Sequence, residues 1–441
     1  LCLALSEFAS KRQIAQPIPE LRVHQDRPDA QRVVITGIGL TASVGDDREG
    51  VWHAVRNGHS AMRRLSGLTG IPDHLLIGAP VDIELDAPDQ LKVLALCNRA
   101  SDEAISDAAL SPRSVEPGRF GCAVSAHMGD MRGLVEQCGC GHLNPPTSIP
   151  WWDQWLPNTA CWLTASRHGL YGPRLGHSTA CASGLIAVLT AVRAIQDGQC
   201  DVALAGSAEA ITPLFAAGFH QMRVLANHED PRQACRPFDL DRQGFVMGEG
   251  GAMFVLERFS DAVARGAQIY AEVAGGRLLA TAHHVTDLDM ESDALTQLIS
   301  DTLCASGLDA GDIGYINVHG TATQQNDLAE ARAIRRAMGS AADALCVSAT
   351  KSILGHLINA AGSVELAITA LAMRDGFVPP TLNLTRPDPL CDLDCIPLVG
   401  RERPFCCALK LSVAFGGTLA AVALRRPDVA VAARKPVRRA A

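Results

Sequence analysis

The stretch Gly176-His-Ser-Thr-Ala-Cys181-Ala-Ser-Gly-Leu-Ile-Ala187 sets the reading of this chain. Small residues make a turn that delivers one cysteine to the first turn of a helix. The segment that follows, Ala182–Ile195, is apolar nearly all round, as a buried helix is. Just downstream, Asp201-Val-Ala-Leu-Ala-Gly206 reads as a buried strand closing on glycine. The alternation continues outward in both directions. Val33-Val34-Ile35, Phe254-Val-Leu-Glu257 and Ile313–Val318 read as strands, and Ile358–Met373 as a second apolar helix. Such alternation implies an α/β protein with a mixed or parallel sheet covered on both faces.

Three segments carry candidate chemistry. At a helix start, unpaired N–H groups and the positive dipole end lower a thiol's pKa, and the same N–H groups can hold an oxyanion, so Cys181 is a candidate nucleophile. The competing reading is a packed core cysteine. In Asn317-Val-His319-Gly-Thr321-Ala-Thr323-Gln-Gln-Asn326-Asp327, a strand ends at a histidine followed by glycine and two hydroxyl residues. Strand C-termini are where α/β folds display active-site groups. In Ser348-Ala-Thr-Lys351-Ser-Ile-Leu-Gly-His356-Leu-Ile-Asn-Ala-Ala-Gly-Ser-Val-Glu365, two charges and a histidine punctuate a small, apolar segment. Buried charges are costly unless paired, so a polar network with a purpose is expected, with a structural ion pair as the alternative.

Composition narrows the classes. The 441 residues are 47% hydrophobic and 20% charged, ordinary for a soluble globular protein. The net charge of −8 is dispersed, which is not the footprint of a nucleic-acid binder. An acidic partner would need a local basic patch; Arg63, Arg64, Lys92 and Arg99 are candidates. The fifteen cysteines are odd in number and often sit in apolar runs, which suits free thiols in a reducing cytoplasm. Cys138-Gly-Cys140-Gly-His142 lacks the second half of a zinc pattern and reads as a loop. Leu1–Ser10 has no basic n-region, and no stretch is long and apolar enough to span a membrane.

Residues 1–31 read as an irregular leader and Arg425–Ala441 as a basic, disordered tail. Gly37-x-Gly39-x-x-Ala42 formally matches a dinucleotide fingerprint. The carboxylate expected about twenty residues on is replaced by Asn57, Gly58, His59 and Ser60. Glycines closing a tight strand-to-loop turn explain the motif better. A boundary near Ala274-Gly275-Gly276 divides the folded part, but no repeat is visible in the residues.

Taken together, Cys181 in STACASG, His319 in HGTAT, and Lys351 and His356 in TKSILGHLINAAGSVE resemble the signature blocks of the β-ketoacyl-(acyl carrier protein) synthases. The similarity is to the type II elongating enzymes and type II polyketide ketosynthases. Arg236-Pro-Phe-Asp239 with Asp241-Arg242-x-Gly-Phe-Val-Met-Gly-Glu-Gly250 matches a fourth block, and the resemblance spans residues 32–425. It implies the thiolase-like fold: two similar βαβαβ-type halves in five layers, normally as a homodimer or a heterodimer with a related subunit. Residues 32–275 would carry the cysteine, residues 276–425 the histidines, and residues 426–441 the tail. By resemblance, Cys181 takes an acyl group from acyl carrier protein or coenzyme A. His319 and His356 stabilise the enolate formed when a malonyl thioester loses carbon dioxide, and assist its attack on the acyl-cysteine. Lys351 sets the electrostatics, Glu365 pairs within that network, Asp327 supports it, and Thr321 and Thr323 contact the pantetheine arm. No metal or dissociable cofactor is implied, since the phosphopantetheine arrives on the carrier protein.

The chain departs from the family in two places. Where the family has Asn-Ser-Phe-Gly-Phe-Gly-Gly-Thr-Asn, this chain has Leu411-Ser-Val-Ala-Phe415-Gly416-Gly417-Thr-Leu419. Phe415 and the paired glycines remain, consistent with a gating phenyl and an oxyanion N–H. Ala414 replaces a hinge glycine, which bears on the gate, and both asparagine anchors are gone. Trp151, Trp152 and Trp155 stand where smaller residues are usual, and could narrow an acyl pocket or pack at an interface. The resemblance also admits a non-catalytic chain-length-factor-like partner. A non-decarboxylating thiolase-fold acyltransferase would use a second cysteine, for which Cys406-Cys407 is the candidate.

Overall fold

The computed structural model describes residues 28–427 apart from 68–72, 74–75, 88–89, 111–114, 127–153 and 155. Most of the expected leader and tail, the Cys138–His142 loop and Trp151, Trp152 and Trp155 lie outside the described residues. Buried strands, rich in small and branched residues, assemble into a ten-stranded sheet. From one edge to the other its strands are Cys346–Ser348, Ile313–Asn317, Cys407–Val413, Thr418–Arg425, Ala271–Ala280, Val33–Ala42, Gly250–Arg258, Val202–Glu209, Phe120–Ala126 and Arg174–Leu175.

This order is the same topology written twice. In each half, in chain order, the first strand is innermost, the third is at the edge, the second and fourth flank each other, and the fifth lies beside the first. The pairing directions also repeat. The edge strand, the second and the fourth run parallel, and the fourth, fifth and first run antiparallel. The halves meet where Val34 pairs with Glu272 and Ile35 with Ala271. The strand Ala271–Ala280 runs straight through Ala274-Gly275-Gly276.

Helices follow the same repeat. Lys92–Asp107 and Thr159–His168 cover the outer face of one half, and Asp293–Ser306 and Gln324–Met338 that of the other. Ser183–Gln196 and Ala361–Asp375 lie between the two halves, giving five layers. Because Ala361–Asp375 has sheet on both sides, it is buried from Ala361 to Met373. The two inner helices cross at Gly184 and Gly362, where a Cβ on Gly184 would stand 2.4 Å from the Ser363 nitrogen. Ser207 and Ser363 hydroxyls bond at 2.6 Å beside this crossing.

Gly37 and Gly39 do not close a turn: both lie inside the strand Val33–Ala42. A Cβ on Gly39 would stand 1.8 Å from the Ala100 carbonyl oxygen, so glycine is needed there for close packing of the outer helix Lys92–Asp107. Every cysteine among the described residues is free, and most are buried. No helix among the described residues is long and apolar enough to cross a membrane.

Candidate active site

Cys181 and His356 come from equivalent places in the two halves, the connections leading into the two inner helices. Cys181 sits in the 3-10 turn Ala180–Ala182 ahead of Ser183–Gln196, with Ala180 held at a φ of +47°. His356 precedes the turn Ile358–Ala360 and the helix Ala361–Asp375. Asn359 joins the two starts, its Oδ1 lying 3.0 Å from Ser183 Oγ and its N–H donating to the buried Glu209. His319 follows the strand Ile313–Asn317. The Cys181 sulfur and the nearest imidazole nitrogens of His319 and His356 all lie within 4.8 Å of one another.

Hydrogen bonds define the tautomers of both rings. His356 Nδ1 accepts from the Ile358 N–H at 3.2 Å, so its neutral ring carries hydrogen on Nε2, which points at Cys181 Sγ 3.1 Å away. Ile358 achieves this with a φ of +44°, a costly conformation for a β-branched residue. The ammonium of Lys351 lies 3.4 Å from His319 Nδ1 and donates to the His319 carbonyl at 2.5 Å, leaving that ring's hydrogen on Nε2 as well. Burial holds both imidazoles well below their ordinary pKa, with Lys351 and Lys410 adding to the effect. The site therefore presents two neutral N–H donors beside a sulfur.

The expectation of a thiol acidified by the helix start is corrected here. Cys181 is buried, and desolvation pushes its thiol up to about 12 against the opposing pull of Lys351. That setting favours the neutral thiol over the thiolate. The same Cys-His-His set is compact enough for a metal ion. The Lys351 ammonium beside His319 adds positive charge there and opposes a dication.

Behind the donors lies a fully buried charged group. Glu365 accepts from Lys351 at 2.7 and 3.0 Å and pairs with Lys410 at 2.7 Å. Lys410 is absent from the sequence-derived site, although a lone lysine in the strand Cys407–Val413 was a visible signal. Glu330 also lies outside it: its carboxylate accepts from the His319 and Gly320 N–H groups at 2.6 Å each, and burial raises it to about 7. Asp327 stands one step back. It accepts from the Phe238 and Ala322 N–H groups, and burial raises it to about 6. Arg242, from the fourth block, reaches the Thr323 and Gln324 carbonyls and Asp388, while Val246 and Gly248 pin the His356 backbone. That block is scaffolding for both histidine loops.

A cavity of about 390 Å³ opens onto the three groups. Thr321, Thr323 and Phe415 line it, with the two hydroxyls 2.9 Å apart. An aromatic chain runs from Phe415 through Phe219 and Phe245 to His356, with ring separations of 6.5, 5.3 and 5.0 Å. Ala414 is not among the residues with positive φ, whereas Gly416 and Gly417 take +83° and +77°, so the loop turns at the paired glycines. The Phe415 N–H has no acceptor among the described residues. Cys406-Cys407 begins the strand whose other end, Val413, reaches the cavity, about 20 Å away at 3.3 Å per residue. It supplies no second cysteine to the site. Of the basic candidates, Lys92 pairs with the buried Glu249, Arg63 with Asp82 and Arg99 with Asp46, while Arg64 reaches the His228 carbonyl.

Known proteins agree with this geometry. The Beta-ketoacyl synthase N-terminal domain family matches residues 82–262 and the Beta-ketoacyl synthase C-terminal domain family residues 270–385. The chain is 37% identical to the tetracenomycin polyketide synthase ketoacyl synthase alpha subunit of Streptomyces glaucescens, over 90% of this chain and 97% of that protein. It is 35% identical to 3-oxoacyl-[acyl-carrier-protein] synthase 2 of Synechocystis, over 90% and 99%. A solved complex of a type II polyketide acyl-carrier protein with its ketosynthase bound to the hexaketide superposes with a TM-score of 0.84 at 32% identity, over 90% of this chain and 99% of that one. With the Cys-His-His centre assembled as above, the chain belongs to the β-ketoacyl synthase family, as a catalytic condensing member.

Proposed function

We propose that the chain condenses a Cys181-bound acyl group with malonyl-acyl carrier protein, giving 3-oxoacyl-carrier protein, carbon dioxide and free carrier protein. The His356 Nε2–H at 3.1 Å from the Cys181 sulfur, with the His319 ring within 4.8 Å of both, carries this reading. In the first step the Cys181 sulfur bonds to the acyl carbon of a thioester, and the departing carrier thiol takes the proton. Before the thiol departs, the Cys181 and Phe415 N–H groups hold the oxyanion of the tetrahedral adduct. In the second step the malonyl C–C bond breaks, carbon dioxide leaves, and the electron pair moves to the thioester oxygen between the His319 and His356 donors. The enolate carbon attacks the acyl-cysteine, the C–S bond breaks, and the thiolate regains a proton from solvent. Thr321 and Thr323 would meet the pantetheine arm and Phe415 would gate the cavity. Lys351 and Glu365 would set the field, and Asp327 would hold the loop. The relatives, from both polyketide and fatty-acid-type enzymes, support carrier-protein thioesters as the substrate class.

The partner reading follows from the sheet edge. Arg174–Leu175 is the terminal strand, and beside it Trp162, Tyr171 and Leu175 are 51%, 70% and 43% exposed. An edge with no partner strand among the described residues and an apolar rim suits a second copy or a related subunit. Arg63 and Arg64 are the most exposed of the basic candidates for an acidic carrier protein. A cytoplasmic location fits the buried free thiols. The reading is tested by intact-protein mass spectrometry with acyl-carrier proteins. An acyl adduct on the native chain that is absent in Cys181→Ala, with carbon dioxide released from malonyl-carrier protein, is expected. No adduct from any donor on folded protein would sink it.

A further inference from the structure

Lys410 stands on the strand Cys407–Val413, directly before Leu411, and its side chain is fully buried. Its Nζ lies 2.7 Å from Glu365 Oε2 and donates to the Val318 carbonyl at 3.0 Å and the Leu411 carbonyl at 2.6 Å. Val318 is the residue before His319. Leu411 stands at the root of the Phe415 loop, where the family's asparagine anchor is missing. Glu365 is thus shared between two ammoniums, Lys351 from the helix Lys351–Leu354 and Lys410 from the strand. One carboxylate balances one lysine. The second leaves positive charge behind the two imidazoles, offset in part by Glu330 as that carboxyl ionises above about 7. A buried lysine is costly even when paired, and an apolar residue would fill a central strand at lower cost, so packing alone does not account for it.

We propose that Lys410 is a positioning residue for decarboxylation: it ties Glu365 to the strand end that carries His319 and supplies the surplus charge that favours negative charge on the thioester oxygen between His319 and His356. This rests on the condensing reading above. Lys410 faces Glu365 on the helix Ala361–Asp375, Lys351, and Glu330 on the helix Gln324–Met338, and both histidines feel its charge. Burial lowers Lys410 to about 8, against the pull of Glu365. The surplus charge is therefore present at neutral pH and lost as pH rises through that value. Acyl transfer to Cys181, whose oxyanion forms at the cysteine end of the site, draws on that charge less than decarboxylation does.

The test measures two rates from pH about 7 to about 9.5, namely carbon dioxide release from malonyl-carrier protein and acylation of Cys181. Native protein should show a steeper alkaline fall in decarboxylation than in acylation. Lys410→Met should cut decarboxylation several-fold more than acylation and abolish that fall. Lys410→Arg, which keeps its charge throughout, should restore rate without the fall. Parallel loss of both rates in Lys410→Met would overturn the proposal. So would native decarboxylation that stays flat with pH, a result that needs no variant to fold. Absence of any carbon dioxide release from native protein would instead remove the condensing reading itself.

Discussion

Glu209 shows how a single buried carboxyl couples the site to pH. It lies at the end of the strand Val202–Glu209 and accepts from the Ala210 and Asn359 N–H groups, so it supports the turn between His356 and its helix. Burial raises it from 4.5 to about 8. Between those values the folded chain binds a proton that the unfolded chain does not. The contribution to stability is full below the unfolded value and lost as pH rises through the folded one. Asp327 and Glu330 share this sign, whereas the lowered His319 and His356 oppose it below about 6.5. The difference between native protein and Glu209→Gln isolates the one group. The melting temperature of Glu209→Gln should gain on the native value steadily from pH 5 to pH 8, at conditions bracketing about 4.5 to 8. A constant gap in differential scanning calorimetry would contradict this account. At this scale the candidate residues are legible in the motifs, and Cys181, His319 and His356 do meet in one place with Lys351 beside them. Two things were not legible. The thiol was expected to be acidified because a helix start is visible in sequence while burial is not, and Lys410 was missed because a lone lysine does not say what it faces.

Between elements, the decisive contact is the crossing of the two inner helices. Gly184 and Gly362 let their backbones approach, and Cys181 and Asn359 stand within a turn of that crossing. A methyl group on Gly184 meets the Ser363 nitrogen, which cannot rotate away, so the helices must separate. Gly184→Ala is expected to destabilise by about 1–3 kcal/mol through overpacking. It should also slow Cys181 acylation more than a surface glycine change such as Gly118→Ala, which meets nothing within 4 Å. Urea denaturation and the adduct assay check the two parts separately. The helices themselves were readable as apolar, Ala-rich runs, and their strands as short buried segments. The glycines of Val33–Ala42 were misread as a turn because glycine marks turns and close approaches alike. Only the packed helix Lys92–Asp107 distinguishes them.

At the scale of the whole molecule, the repeated topology leaves the sheet edge at Arg174–Leu175 without a partner strand among the described residues. The opposite edge, Cys346–Ser348, is wholly buried within the chain. Charges placed on the open rim should therefore reach assembly first. Trp162→Glu combined with Leu175→Arg is expected to shift the protein toward monomer in sedimentation velocity, with the helical circular dichroism unchanged. An unaltered sedimentation coefficient would place the subunit contact elsewhere. The duplication was implied by the family resemblance and could not be seen in the residues. The two halves share strand order and pairing direction, and these are backbone properties that different side chains can satisfy equally well.

The sequence alone singled out Cys181, His319, Lys351 and His356 and the alternation of strands and helices around them, because motif residues and hydrophobic periodicity are local signals. Tertiary structure decided the rest: the meeting of Cys181 with His356 across two halves, the Nε2–H tautomers, the burial that favours the neutral thiol, and the sharing of Glu365 by two lysines. Each of these depends on distances and desolvation between segments remote in the chain, and those exist only once the two halves have packed.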